Sequence, residues 1–455
     1  MRRFVSALVV FSSLIQVAPC LGGTRPRYGG TLRVNMQAAL VSLDPADANS
    51  ADPVALDEIS HLLFDTLVRL DGRGNPAPGL ASTWRSDSGY QRWSFTLRNN
   101  VRLSDGTILT PQIATASLRS VNPDWRLVAS DDGITIEVSS ACPQLPMQIA
   151  LTRNSIVQRD SGRLLGSGPF TLSSWQPGKH LILKAREDYW KGRPFLDEID
   201  VDLNRNLREQ TISLDLGKVD LIDLAPGQSQ RTTSEGRATV SSWTNQLLCL
   251  VFRNGNPSED EQKLREALAL SVDRKALASV ILQGDGTPAG SILPNWQSGY
   301  AFLFAPSYDL RRARELRDEV HLVTAWSLGY NGTDPSSRLL AERIALNAQD
   351  AGLRLQTSMT PNPDIRLERI LITSPDTHVA LDDVARQLGL PMPKLTGAST
   401  EDAYQMEKAL LESRRIIPLL HVPANHALAG NVHGWSSQWD GGLGLADVWL
   451  GTSRP

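Results

Sequence analysis

Apolar and polar residues alternate in several short segments in the first half of the chain. In "TLRVNM" the side chains of Leu32, Val34 and Met36 fall on one face, and "GITIEVSS" repeats the pattern with two isoleucines and a valine. A period of two residues predicts half-buried β-strands. Further strands are predicted at "KHLILKA" and "DEIDVDLNR". The first half is therefore predicted to be rich in β-sheet.

The second half changes to helical spacing, and two of its helices have clear end signals. Ser258 precedes the first helix, and Glu261 three residues later completes the pattern of a capping box. The second helix follows Asp334, has Pro335 at its first position and ends at Gly352. Its predicted buried stripe is Leu340, Ile344, Ala348 and Ala351. The strand "LRLQT" then follows, and this helix-strand unit is typical of a parallel or mixed sheet.

Length and composition narrow the class of protein. A chain of 455 residues is too long for one ordinary core, so two or three domains are expected. Hydrophobic residues make up 41% and charged residues 21%, as in ordinary globular proteins. The net charge of −3, without basic clusters, argues against a nucleic-acid partner. Cys142 and Cys249 are predicted to remain free thiols, since a cysteine in an apolar strand such as "LLCLVF" is commonly buried and unpaired.

The first residues indicate export. "MRR" is a short basic head, and the apolar run "FVSALVVFSSLIQVA" has the length of a signal-peptide core, so residues 1–22 are predicted to be a signal peptide. Cys20 lies where a bacterial lipoprotein would carry its acylated cysteine. Pro19 departs from the small residue expected before such a cysteine, and plain cleavage near residues 18–23 is the alternative. The mature protein is predicted to be periplasmic or extracytoplasmic, with or without a lipid anchor.

The usual signatures of catalysis are missing from the sequence. It contains no G-x-S-x-G, S-x-x-K, H-E-x-x-H or C-x-x-C motif. His421, His426 and His433 fall within thirteen residues, but their spacing fits no closed metal site and Pro423 interrupts any helix that would align them. We interpret them as surface and loop histidines. The sequence thus predicts no enzyme, no metal site and no cofactor.

Five longer segments follow one another in an order that matches a known family. They are "YGGTLRVNM" with "SLDPADAN", then "LLFDTLVRLDGRGNPAPGLASTW", "WSFTLRNNVRLSDGTILT", "GSGPFTLSSWQPGKHLILKAREDYWKGRPFLDEI" and "KLREALALSVDRKAL". Together, over about residues 28–282, they resemble the extracellular solute-binding proteins of ABC importers, family 5, of the oligopeptide, dipeptide and nickel type. The fourth segment is the most specific of the five.

The resemblance implies an α/β fold, namely the two-lobed periplasmic-binding-protein fold of type II, cluster C-like. Mixed sheets flanked by helices form the two lobes, and the ligand lies in the cleft between them. Lobe I is expected over 28–245, with a reduced extra subdomain at about 49–165. Lobe II is expected over 246–424, and 425–455 is expected to return to lobe I.

In that frame the fourth segment is structural. "GSGPF" is expected to turn into a strand of the first lobe, where Phe170, Trp175 and Leu183 pack the core. Tyr189 and Trp190 are expected to anchor the turn "DYWKGRP". These aromatic residues are therefore interpreted as core residues and not as ligand contacts.

The resemblance also implies a function. The protein would capture a peptide or a similar small solute by hinge closure and deliver it, as a monomer, to the ABC permease and its ATPase subunits. Two alternatives stay open: a non-transporting solute sensor or chaperone-like module of the same fold, and an exported hydrolase with an unrecognised site. The sequence does not separate a peptide from an opine, a sugar, haem or a nickel chelate.

The sequence predicts five residues as ligand contacts: Trp243, Asn245, Trp296, Trp326 and Asp376. The tryptophans and the asparagine lie near predicted crossing strands, where aromatic walls and amide groups could hold a peptide backbone. Asp376 is the nearest counterpart of an acid that peptide-binding members use for the amino end of the peptide. The second lobe departs from the family around this residue, where the segment "RLERILITSPDTHVALDDVARQLGLP" stands.

Overall fold

Two sheets organise the protein, and each carries its own hydrophobic core. The computed structural model describes residues 25–47, 52–224, 227–235, 237–321, 325–332, 334–391, 399–435 and 444–451. A seven-stranded sheet forms the unit that we call lobe I, and a six-stranded sheet forms lobe II. The predicted signal peptide and Cys20 lie outside the described residues. Among the described residues, no helix is both long and apolar enough to span a bilayer.

In the described residues the strands run in chain order as β1 (Thr31–Asn35), β2 (Val68–Leu70), β3 (Pro76–Pro78), β4 (Ala81–Ser86), β5 (Arg92–Leu97), β6 (Arg126–Ala129), β7 (Gly133–Glu137), β8 (Gln158–Asp160), β9 (Arg163–Leu165), β10 (Phe170–Gln176), β11 (His180–Ala185), β12 (Glu198–Asp202), β13 (Leu221–Asp223), β14 (Ala238–Ser241), β15 (Gln246–Phe252), β16 (Thr287–Pro288), β17 (Ala325–Gly329), β18 (Arg354–Ser358), β19 (Ile365–Leu371), β20 (Ile416–Val422), β21 (Asn425–Leu428), β22 (Val432–His433) and β23 (Trp449–Leu450).

The α-helices of the same residues are α1 (Pro53–Leu63), α2 (Pro111–Val121), α3 (Leu145–Ile149), α4 (Leu207–Asp215), α5 (Gln228–Ser234), α6 (Glu259–Ser271), α7 (Arg274–Ala276), α8 (Asn295–Ser298), α9 (Leu310–Asp318), α10 (Pro335–Asp350), α11 (Thr377–Gln387) and α12 (Thr400–Glu412). A single π-turn covers Leu277–Ile281 and follows α7 directly. Short 3₁₀ turns cover Thr152–Asn154, Ala301–Phe304 and Leu445–Asp447.

The sheet of lobe I has the strand order β10-β11-β12-β1-β13-β21-β14. Strand β1 pairs in parallel with both β12 and β13, whereas β21 enters from the far end of the chain and pairs antiparallel with β13 and β14. Leu32 and Val34 are almost completely buried, as the alternation of β1 predicts. The α/β fold class with mixed sheets is therefore confirmed.

The sheet of lobe II has the order β16-β20-β15-β19-β17-β18. Its central strand β15 is buried along its whole length because helices cover both faces of the sheet. Leu248, Leu250 and Phe252 point into a core with α6 and α10, while Leu247 and Cys249 point into a second core with α11 and α12. The two-residue period of a strand explains this division.

The segment between α1 and β10 contains a smaller unit with its own core. Strands β4, β5, β7 and β6 form a four-stranded antiparallel sheet. Trp93 and Phe95 of β5 pack with Leu118 of α2 and Ile149 of α3 in one cluster. This unit lies within the range that the sequence assigns to a reduced extra subdomain.

The chain crosses between the two sheets twice within the described residues. It leaves lobe I after β14 for β15, and it returns from β20 to β21. The two crossings are bonded to each other: the Ser242 amide donates to the Ala424 carbonyl (2.9 Å), and the Ala424 amide donates to Ser242 Oγ (2.8 Å). We keep the division into 28–245, 246–424 and 425–455 as a proposal, and its boundaries fall at these crossings.

The helix signals in the sequence are largely confirmed. Ser258 Oγ accepts from the Glu261 amide (3.2 Å), although the Glu261 carboxylate accepts from Asn254 and Arg265, the latter at 2.5 Å. Helix α10 follows Asp334, and Gly352 beyond its end has a φ of +75°, which favours glycine. The predicted stripe of α10 is buried at Leu340, Ile344, Ala348 and Ala351.

The fourth resemblance segment is confirmed as part of the frame. Phe170 and Leu183 are buried in the core of lobe I, and Trp175 packs against that core. Tyr189 Oη and Trp190 Nε1 both donate to the carboxylate of Asp65, at 3.1 and 2.9 Å. The two aromatic residues therefore fix the turn to the end of the α1 segment, as predicted.

The interpretation of His421 and His426 as surface and loop residues is wrong. Both lie in strands, β20 and β21, and are only 4% and 5% exposed. Every residue of β20 and of β21 is buried, so the side chains on both faces of these two strands are covered. His433 is partly buried in β22 and stacks on Trp449. Cys142 and Cys249 are free thiols, as predicted.

Candidate functional site

A cavity of about 600 Å³ lies between the lobes, next to the two crossings. Its walls come from the carboxyl ends of parallel strands in both sheets: the residues after β1, the end of β13, and the residues after β17 and β18. In open α/β sheets, ligands bind at these strand ends. The volume falls in the range of roughly 300–1,000 Å³ that small-molecule sites occupy.

Both lobes contribute charged side chains to the cavity. Lobe I supplies the carboxylates of Asp52, Glu58 and Asp223. Lobe II supplies the carboxylates of Asp285, Asp334 and Glu368 and the guanidinium groups of Arg366 and Arg369. Six carboxyl groups and two guanidinium groups therefore line this cavity, together with the imidazole of His426.

Helix α1 presents two of the three acids of lobe I, Asp52 and Glu58, because its amino end lines the cavity. Asp52 precedes the helix and accepts from the Ala55 amide (3.1 Å). Burial raises the pKa of Asp52, while that hydrogen bond and the charge of Arg369 across the cleft act to lower it. Glu58 stands one helical turn beyond Ala55 and is 4% exposed. Burying a carboxylate in this position costs free energy unless a group of opposite charge lies beside it.

On the opposite wall the arginines lie beside carboxylates of their own lobe. Arg366 Nε is 3.1 Å from Glu368, and Arg369 Nη2 is 3.7 Å from Asp334. Burial raises the pKa of Glu368. Asp334 also accepts from the hydroxyls of the two serines in the first turn of α10 (2.6 and 2.7 Å). The charges of this wall are therefore partly compensated within lobe II.

His426 stands between two of the three acids of lobe I, Glu58 and Asp223. Its Nδ1 lies 3.5 Å from Asp223 Oδ1, and its Nε2 lies 3.9 Å from Glu58 Oε1. Neither ring nitrogen has a hydrogen-bond partner in the described structure. The ring edge of Trp435 packs on the imidazole at 5.3 Å. We call Glu58, Asp223 and His426 the lobe I cluster.

The lobes also contact each other directly. Beside the crossings, Asp285 of lobe II accepts from the Gly227 amide (2.5 Å) and from Asn425 Nδ2 (3.0 Å) of lobe I. Away from the lining of the cavity, Arg153 of the smaller unit forms an ion pair with Asp383 of α11. The cavity therefore lies between lobes that are in contact.

The five residues predicted as ligand contacts lie elsewhere, and none of them is among the described residues that line this cavity. Trp243 and Trp296 pack edge to face at 4.9 Å and remain 51% and 40% exposed beside the first crossing. Asn245 is fully buried in that crossing, where its carbonyl accepts from the Ile372 amide (2.8 Å). These three residues support the crossing itself.

The remaining two predicted contacts are structural for different reasons. Trp326 of β17 is 6% exposed and packs on Phe252 in the core of lobe II, because the strand's pleat turns it away from the cleft. Asp376 caps α11, where it accepts from the Val379 amide (3.0 Å). A helix cap is a common use of an aspartate before a helix.

One signal in the sequence could have located part of the site. Glu58 occupies the i+3 position of the stripe Ala55, Glu58, Ile59 and Leu62, so the helical period alone places a charge on a buried face. Asp223 and His426 carry no such signal, since they reach the cavity through sheet pairing between β13 and β21. No group of three or more His, Cys, Asp or Glu side chains in the described residues is arranged to hold a metal ion.

Fold and cavity together define a class of protein: a two-lobed binding protein of the periplasmic type, with its ligand site between the lobes. The family model for bacterial extracellular solute-binding proteins, family 5, matches residues 75–381. The chain belongs to this family. Its members and the structural neighbours below are binding proteins rather than enzymes, and they support a role for this chain as the solute-binding component of an importer.

Three comparisons illustrate the similarity. The probable D,D-dipeptide-binding periplasmic protein DdpA of Escherichia coli K12 is 23% identical over 362 residues, which cover 70% of each chain. The structure of AgaA from A. tumefaciens R10 with agropinic acid superposes with a TM-score of 0.79 at 18% identity, covering 93% of this chain and 99% of that one. The Haemophilus influenzae OppA complex with the peptide RPPGFSPFR gives 0.79 at 14% identity, covering 92% and 98%. Three further curated relatives are matched over 60 to 64% of their own length.

Proposed function

We propose that this chain is the exported substrate-binding component of an ABC importer that captures a peptide or a similar small solute and delivers it to a membrane permease. One observation carries the proposal: a cavity of about 600 Å³ is lined by both lobes at the point where the chain crosses twice between them. A solute in this cavity would contact both lobes at once, so its binding would favour the arrangement in which the lobes are in contact.

The walls of the cavity suit a polar solute of peptide size. Strand ends and helix starts line it, and these elements present backbone amides and carbonyls that can bind a peptide main chain. One exposed apolar side chain, Met359, lies among these polar groups. The structural neighbours contain agropinic acid and a nine-residue peptide, which are also polar and support this class of solute.

Closure would use the two crossings as a hinge. The bonds of Ser242 to Ala424 hold the crossings together, so the lobes can rotate about them without separating. A solute that contacts both walls binds only the closed arrangement and shifts the population toward it. The contacts of Asp285 with Gly227 and Asn425 add to the stability of that arrangement.

Export is part of the same proposal. The basic head and apolar run of residues 1–22 would direct secretion, and Cys20 would offer a site for a lipid anchor. The protein would then act as a monomer outside the cytoplasmic membrane and present its closed form to the permease and ATPase subunits.

Small-angle X-ray scattering with and without a mixed tripeptide pool tests the proposal. We expect the radius of gyration to fall when the pool is added, and deletion of the gene to abolish uptake of the captured peptides. Closure without any effect on uptake would favour the sensor alternative. Turnover of a peptide by the purified protein would favour the hydrolase alternative.

A further inference from the structure

The charged groups that line the cavity indicate which charge the solute should carry. Six carboxylates face two guanidinium groups, and three of the carboxylates come from each lobe. When the lobes open, the two sets separate and water screens them. Closure brings like charges into one enclosed space, where their repulsion is stronger because the surroundings are less polar. A solute that stabilises the closed arrangement should therefore add positive charge.

The lobe I cluster shows where that charge would be placed. His426 is 5% exposed, lines the cavity and has two ring nitrogens without a hydrogen-bond partner in the described structure. A buried polar atom left without a partner costs about 1–3 kcal/mol, so such atoms in a binding site indicate a missing group. This observation is independent of the number of acids around it.

The neighbours of His426 indicate whether the missing group is positively or negatively charged. One carboxylate lies near each ring nitrogen, Asp223 at 3.5 Å and Glu58 at 3.9 Å. The cluster has an excess of negative charge whether the imidazole is neutral or protonated. A second anion would add repulsion, whereas a cationic N–H group can donate to the carboxylates and to a neutral ring nitrogen.

We propose that the solute is a net-positive molecule, and that one of its ammonium or guanidinium groups binds in the lobe I cluster of Glu58, Asp223 and His426. This inference rests on the proposed function and narrows it to basic peptides or related amines. A peptide with only its two terminal charges is net-neutral and leaves the excess of carboxylates in place. A basic side chain or a second amine adds positive charge, which offsets this excess of carboxylates.

The test is a calorimetric titration of the dialysed, EDTA-treated protein with four probes at two salt concentrations. The probes are Lys-Ala-Lys, Ala-Ala-Ala, Glu-Ala-Glu and spermidine. We expect Lys-Ala-Lys to bind at least about tenfold more tightly than Ala-Ala-Ala, because a hydrogen bond to a charged group contributes that much. Spermidine should bind, Glu-Ala-Glu should not, and salt should weaken the binding of both cations.

Two variants and a control assign the effect to the cluster. Glu58→Gln should reduce the preference for Lys-Ala-Lys over Ala-Ala-Ala to near parity, and Asp223→Asn gives a second reading if the first variant folds poorly. Glu412→Gln makes the same chemical change on the surface, at a side chain that is 65% exposed, and should leave the preference intact.

The other possible results of the titration also support or overturn the inference. Equal binding of the three peptides would overturn the inference and leave the proposed function standing. Binding of spermidine without any peptide would support the inference and overturn the peptide ligand. Binding of none of the four probes, or of Ni²⁺ alone when it is added afterwards, would overturn the inference.

Discussion

His421 and His426 stand five residues apart on the two sides of one crossing, and they differ in what meets their ring nitrogens. Both are about 5% exposed or less. His421 faces lobe II, where its Nε2 lies 3.0 Å from the Ile292 carbonyl. His426 faces the cavity between Asp223 and Glu58, and neither ring nitrogen has a hydrogen-bond partner in the described structure.

This difference gives the two histidines different roles: His421 is structural, and His426 binds the solute. Burial lowers the pKa of His421 to about 4, so this imidazole is neutral at physiological pH and its hydrogen bond fixes the loop before α8. Burial alone would assign the same role to His426. The position of His426 between two carboxylates in the cavity assigns it instead to the solute, because neither of its ring nitrogens has a hydrogen-bond partner among the described residues.

Replacing each histidine with phenylalanine tests this comparison with one chemical change. His421→Phe leaves the Ile292 carbonyl unpaired in the core, and we expect the free energy of unfolding to fall by about 1–3 kcal/mol. Chemical denaturation at pH 7 measures it. Solute binding should be unchanged in this variant, and a loss of binding at wild-type stability would contradict the structural role.

The pH dependence of stability sharpens the role of His421. Its folded pKa of about 4 lies below the ordinary value of 6.5, so the unfolded chain binds the proton more readily between these values. Stability from this group is complete at neutral pH and is lost as the pH falls from 6.5 toward 4, by about 2 kcal/mol between pH 7 and pH 5.

The difference between wild type and His421→Phe isolates that contribution. Burial raises the pKa of Glu407, which is also bonded to the Ile292 segment, to about 7, and this group acts in the opposite direction as the pH rises from 4.5 to 7. Its effect is common to both proteins and cancels in the comparison. A difference that does not change with pH would contradict the assignment of His421.

The substitution Asp285→Ala tests the contact between the lobes beside the crossing from β20 to β21. The substitution removes the acceptor of the Gly227 amide and of Asn425, and we expect a loss of about 1 kcal/mol from the closed arrangement. Scattering should show a larger radius of gyration in solute-free protein. Glu342→Gln, which removes an exposed pair with Arg338, should change neither radius nor stability appreciably.

The smallest effect on stability is expected for His426→Phe. The ring keeps its packing on Trp435 while both unsatisfied nitrogens are removed, so the free energy of unfolding should change by less than about 1 kcal/mol. Thermal stabilisation by Lys-Ala-Lys should nevertheless be lost. Retained stabilisation by this peptide would show that the imidazole is not part of the site.

The sequence was sufficient for the frame of the protein and insufficient for its site. Alternation, capping residues and five ordered segments predict the strands, the helices and the family, because these signals are local or extend over long stretches. Phe170 and Trp190 were correctly assigned to the frame for the same reason. The cavity is different: Glu58, Asp223 and His426 are brought together by three separate elements, and pairing between β13 and β21 has no local signature.

The three predicted tryptophan contacts lie outside the described lining of this cavity for a common physical reason. The sequence predicts Trp243, Trp296 and Trp326 because large aromatic residues near crossing strands can form the walls of a cleft. The pleat of β17 directs Trp326 into the core, and the other two pack on each other outside the cavity. Which side of a strand faces a cleft depends on the register of the whole sheet, which one sequence does not contain.

Native mass spectrometry of protein gently purified from a periplasm tests the central claim most directly. We expect co-purified masses spaced like amino-acid residues, which fragment to peptides that contain lysine or arginine. These masses should be absent from His426→Phe and present in His421→Phe. An empty wild-type protein that no peptide pool stabilises against heat would contradict the proposed binding of a basic peptide between the lobes.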